Sequence, residues 1–204
     1  MSKGLRDLKP KDILFGIVIP TIVCLVIIWF PLNERTFASI NPAFQGIFVF
    51  GTQEVIMIVA VPLMVGLLWN KWAGGVTGFL LGSIYALWYG LYGAMSPSWI
   101  HNISLLGYLV SSMLIGYMAG ALNQKSTKLS RLLFAGLTSA LVGGLFLFFT
   151  EQQAKPVMVT GEYGFFVTMT PRLVFGLVVP LIVKLIVRHQ ATQQKAASQI
   201  GAHI

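Results

Sequence analysis

Residues 73–94 read AGGVTGFLLGSIYALWYGLYGA, a stretch with no charged residue in which a small side chain returns at every fourth place: Gly74, Gly78, Gly82, Ala86, Gly90, Ala94. Helices in a bilayer gain nothing by hiding apolar surface from lipid, so they associate where small residues let backbones approach closely. Four residues turn an ideal helix by roughly 400°, so such a stripe drifts by about 40° per step. By that drift Gly74 and Gly78 point the same way as Tyr85, Tyr89 and Tyr92, with Trp88 among them. The pattern predicts a tight helix–helix seam at one end that opens into an aromatic-lined cavity at the other. A belt of rings at the membrane interface explains one or two of these aromatics. Four within eight positions exceed what a belt needs.

Working outward, the whole chain has the composition of a polytopic membrane protein. Of its 204 residues 56% are hydrophobic and only 10% charged, and the mean hydropathy is +0.79. Six stretches approach the roughly 20 apolar residues that cross a bilayer: about 13–32, 47–69, 73–94, 103–123, 131–150 and 171–189. They leave no length for a soluble catalytic domain. The expected fold is therefore all-α, a single six-helix membrane domain over residues 1–204. A cytoplasmic lead (1–12) precedes it and a flexible cytoplasmic tail (190–204) ends it.

The net charge of +8 invites a nucleic-acid reading, but its distribution argues for orientation instead. Lys3, Arg6, Lys9, Lys11, Lys71, Lys125, Lys128, Arg131, Lys184, Arg188 and Lys195 fall on one side of the six stretches. Arg35, Lys155 and Arg172 fall on the other. Such an excess marks the cytoplasmic face, so both termini are expected on the cytoplasmic side of the cell membrane. The lone Cys24 lies within the first stretch and excludes an intrachain disulfide and a cysteine metal site.

Polar groups inside the spans are few. Glu54, with Gln53 beside it, lies about 10 Å in from the outer end of the second span by helical rise. A carboxylate at that depth costs at least a few kcal/mol and usually faces the protein interior. Thr170 reads as an N-cap and Pro171 as the first residue of the sixth helix. Arg172 would then stand at a helix N-terminus, where free N–H groups and the helix dipole already favour an anion. Glu54 and Arg172 either pair in the empty protein or divide the poles of a ligand. Trp99 and His101, in the outer loop 95–102, complete the candidate substrate-binding set of Gln53, Glu54, Tyr85, Trp88, Tyr89, Tyr92 and Arg172. The long outer loop 151–170, with Phe165, Phe166 and Val167 near its end, reads as a lid. Further small-residue ladders, Ser112-Gly116-Gly120, Ala135-Ser139-Gly143 and Gly136-Ala140-Gly144, read as packing devices.

Catalytic motifs are missing. There is no Gly-rich phosphate loop ending in Lys and Ser/Thr, no serine elbow and no HExxH helix, and no histidine lies in the interior of a span, His189 only ending the sixth. That inventory suits ligand binding rather than an enzyme, with no metal and no cofactor.

Six spans, a long first outer loop and the run LLWNKWAGGVTGFLLGSIYALWYG resemble the substrate-binding S components of energy-coupling factor vitamin transporters. LLGYLVSSMLIGYMAGALNQKSTKLSRLLFAGLTSAL is similar to that family's fourth and fifth helices with their basic inner link. The resemblance implies a small-molecule nutrient, a vitamin or related heterocycle, captured in an outward-facing pocket. It also implies docking on a membrane coupling protein driven by two cytoplasmic ATPases. Where the family's first helix carries alanines four apart, this chain has Gly16, Pro20 and Cys24. The family's metal branch uses an N-terminal histidine, and residues 1–12 contain none. The competing expectation is a non-transporting accessory subunit that packs into a larger membrane complex through its glycine faces.

Overall fold

The computed structural model describes residues 54–92, 102–154 and 162–201, and within them every regular element is helical. The first expected span, the loop at 33–46, Gln53, Trp99 and His101 lie outside the described residues. Three stretches are long and apolar enough to cross a membrane: Leu106–Asn123, Leu129–Gln153 and Thr168–Gln193.

Glu54 and Val55 lead into a π-helical turn, Ile56–Ala60, which passes into α1 (Val61–Leu68). Pro62 cannot donate to the carbonyl four residues back, and its ring would crowd that carbonyl in a regular α-turn. The wider turn, in which Val61 N–H reaches back to Ile56 O, absorbs the conflict. A two-residue link follows. Asn70 caps the next helix, its Oδ1 accepting from Ala73 N–H at 2.9 Å. That helix is α2 (Lys71–Tyr92), followed by α3 (Asn102–Asn123), α4 (Leu129–Ala154) and α5 (Glu162–Gly201). The turn between α3 and α4 is made by Gln124 and Lys125, both at positive φ (47° and 61°). Arg131 steadies it, donating from Nε to Leu122 O at 3.1 Å and from Nη2 to Gln124 Oε1 at 2.8 Å.

The small-residue ladders find separate partners. Gly74, Gly78 and Gly82 of α2 lie against Gly116, Ser112 and Leu109 of α3. Gly74 and Gly116 are reciprocal, since a Cβ on either would overlap the other's carbonyl oxygen. Each therefore points a Cα–H at its partner's carbonyl, a weak attraction that recurs where helices touch closely. Gly66 of α1 presses on the same Gly116 carbonyl, so three backbones converge there.

On α4 the two offset ladders diverge. Gly143 faces Ile115 and Ser111 of α3, and Ser111 Oγ donates to Gly143 O at 2.7 Å. Gly136 and Ala140 face Gly176 and Pro180 of α5, and Gly144 faces Met169 and Arg172. Pro180 leaves the Gly176 carbonyl without its helical donor. Gly136 lets α4 approach that very carbonyl.

Two boundaries differ from those read in the sequence. Thr170 and Pro171 do not start the last helix; α5 begins at Glu162 and carries Pro171 and Pro180 inside it. Phe165, Phe166 and Val167 accordingly belong to its first turns and not to a lid loop. In apolar surroundings a chain must satisfy its own backbone, and helix is the way a single segment does so. That demand outweighs the local cap signal. At the other end α5 continues through Gly201, where a flexible tail was expected after residue 189.

Candidate functional site

Glu54, Glu151 of α4 and Arg172 of α5 lie toward the end of the bundle remote from the Asn70 and Gln124 turns. Glu54 precedes the π-turn, and Arg172 stands ten residues into α5, about two turns beyond the last free N–H group of that helix. The helix-terminus reading of Arg172 therefore gives way to a side-chain one. Arg172 forms an ion pair with Glu54, through Nη2 and Oε1, linking the first described turn to the last helix. The Arg172 side chain is 4% exposed and that of Glu54 16%.

The same guanidinium folds back on its own helix, donating from Nη1 to the Thr168 carbonyl at 2.5 Å. Gly144 makes this possible, because a Cβ there would sit 3.2 Å from Arg172 Cδ and closer still to Met169 Sδ. Arg172 Nε is buried and has no hydrogen-bond partner. A guanidinium carries five donors in a rigid fork and grips a carboxylate best with two parallel bonds. Here one fork position is taken by Glu54 and the neighbouring Nε donor is left without a partner.

A second polar link lies on α3 and α4. Tyr108 Oη donates to Glu151 Oε1 at 3.0 Å. Its ring stands edge-on to Tyr85 of α2, with centroids 5.0 Å apart and planes at 64°. Tyr85 is 3% exposed. The predicted direction of Tyr85 holds, on the same side as the glycine stripe, but its ring is a packing partner of α3. Trp88, Tyr89 and Tyr92 lie in the last turns of α2, and their side chains fall outside those described.

Of the candidate residues, then, the structure brings Glu54 and Arg172 into contact and sets Tyr85 against Tyr108. Tyr108 and Glu151 were not singled out in the sequence. Tyr108 is one tyrosine in an apolar run, and Glu151 sits where a span meets a loop, a position that ordinarily carries charge. Their partnership spans 43 residues, and no local spacing announces it. Among the described residues no group of three or more histidine, cysteine, aspartate or glutamate side chains is placed to hold a metal ion. No family model, no curated protein and no solved structure matches this chain.

Proposed function

We propose that the chain is the substrate-binding S component of an energy-coupling-factor importer, with six spans and both termini cytoplasmic. It captures a vitamin or related heterocyclic nutrient from outside and passes it on while docked to a membrane coupling protein and two ATPases. The observation that carries the reading is the Arg172–Glu54 pair. Ionisable groups are rarely placed at such depth in a helical membrane protein unless they pair, bind or conduct, and this arginine keeps a buried donor unused. An acidic group on a ligand takes the unpartnered Nε of Arg172 in the binding-competent state, and Glu54 offers the opposite charge to a basic one. The glycine-rich run at 67–90, one of the two stretches that carry the family resemblance, supplies the rigid seam behind the site.

The pair also favours a second reading. It closes on itself, and Tyr85 is already buried against Tyr108, as in an accessory subunit whose polar groups only hold helices together. One experiment separates the two. Small molecules are extracted from the purified protein, identified by mass spectrometry and added back to ligand-free protein. A ligand present at about 100 times its Kd stabilises a binder by about 2.7 kcal/mol. Melting that ignores every extracted compound assigns the chain to the accessory class.

A further inference from the structure

The end of the bundle opposite the ion pair carries a second charged arrangement, of one sign only. Lys71 starts α2 with its backbone against Gly120 of α3, and its ammonium lies 5.8 Å from the Tyr117 ring centroid and 5.7 Å from that of Trp72. Lys184 of α5 donates from Nζ to Thr127 O at 2.7 Å, which ties the last helix to the α3–α4 turn. Lys125, Lys128 and Arg131 belong to that turn or follow it directly, and Arg188 lies one helical turn beyond Lys184. Three separate elements thus bring six cations to one end.

The acidic residues of the described segments, Glu54, Glu151 and Glu162, all belong to the opposite end. Nothing neutralises the cluster from within the described residues. Arg131 and Lys184 are committed to backbone carbonyls, whereas Lys125, Lys128 and Arg188 are exposed and donate no side-chain hydrogen bond. The rim beside them is apolar: Trp72 is 66% exposed, and Leu129, Phe134 and Leu185 are exposed as well. Tryptophan with clustered Lys and Arg at the foot of apolar helices matches the headgroup layer of a bilayer.

We propose that this end of the bundle is a binding surface for anionic phospholipid, whose phosphate sits on Lys125, Lys128 and Arg188 while its acyl chains lie along the exposed apolar rim. The apolar flank is what selects a lipid over a soluble anion, since only a lipid occupies both parts. Strong single-sign charge beside hydrocarbon also distinguishes the surface from a nucleic-acid groove, which needs no such flank.

The test is native mass spectrometry of the full chain taken from bilayers with equal mole fractions of phosphatidylglycerol and phosphatidylcholine. The wild type should retain phosphatidylglycerol preferentially. Each cation beside an anionic headgroup contributes roughly a fivefold preference at low salt. Lys125→Gln with Lys128→Gln should therefore lower the preference roughly 25-fold, and Lys125→Arg with Lys128→Arg should keep it. Arg188→Gln, on a different helix, should lower it about fivefold by itself and guards against a turn variant that misfolds. Equal retention of both lipids by the wild type overturns the proposal, as does an unchanged preference in the folded glutamine variants. Displacement of the lipid by an equal concentration of glycerol phosphate also overturns it, because the site would then be one for a soluble anion.

Discussion

At the scale of single residues the Arg172–Glu54 pair is the most sensitive point in the described structure. Removing one member of a buried pair leaves the other charge uncompensated, at about 3–5 kcal/mol. Arg172→Met and Glu54→Gln should each lower the melting temperature in detergent strongly. The double variant should recover part of the loss, because neither charge is then left alone. Additive losses in that cycle would mean that the two side chains do not depend on each other. Tyr108→Phe makes a milder contrast. It deletes the hydrogen bond to Glu151 but keeps the edge-on contact with Tyr85, so the expected loss is about 1 kcal/mol. For ligand binding, Arg172→Gln should weaken affinity beyond what its loss of stability explains. That comparison uses Kd and melting temperature measured on the same preparation.

At the scale of elements, stability rests on how closely α2 and α3 approach. Adjacent glycines on α2 provide a paired test. A Cβ at Gly74 overlaps the Gly116 carbonyl and the Gly66 backbone, so neither side can yield without parting the helices. Gly74→Ala should cost about 1–3 kcal/mol, the range for forcing extra volume into a packed interface. At Gly75 the nearest atom to an added Cβ is Tyr117 Cβ at 3.4 Å, an ordinary contact. Gly75→Ala should be neutral or slightly stabilising, because alanine is the better helix former. Equal melting temperatures for the two variants would remove the seam from the account of stability. On α4, Gly136→Ala is expected to resemble Gly74→Ala, since it meets the Gly176 carbonyl and the Pro180 ring.

For the whole molecule, the helices predict sidedness. α4 runs 26 residues, about 39 Å at 1.5 Å per residue, enough to cross a hydrocarbon core of about 30 Å. Lys184 on Thr127 places the second half of α5 at the α3–α4 turn. Single cysteines at Ser126 and Thr192, in a chain with Cys24 replaced by serine, should label from the same face, and one at Gln153 from the opposite face. The proposed function, which puts both termini in the cytoplasm, requires the first pair to label from the cytoplasmic face. Labelling of positions 126 and 153 from one side would mean that α4 does not span. α5 is 40 residues long, about 60 Å, so part of it must project beyond a bilayer. Its last turns are polar, in keeping with that projection.

The sequence by itself determined that the described segments around 55–68, 73–92, 103–123, 131–150 and 171–189 are helical, where α1 turns into α2 and α3 into α4, and which faces carry small residues. Each is local: composition sets the helix, Asn70 caps it, and a four-residue spacing puts Gly136, Ala140 and Gly144 on one side. It did not determine which ladder meets which neighbour, because glycine faces are nearly interchangeable until chain connectivity brings two together. Only the tertiary structure decided that Arg172 belongs inside a helix, paired with Glu54 across 118 residues, and that Tyr85 closes on Tyr108. Local signals at Thr170 and Pro171 favoured a helix start. The need of residues 162–170 to bond their own backbone in apolar surroundings overrode them, and in doing so moved the site's cation from a helix end to a helix wall.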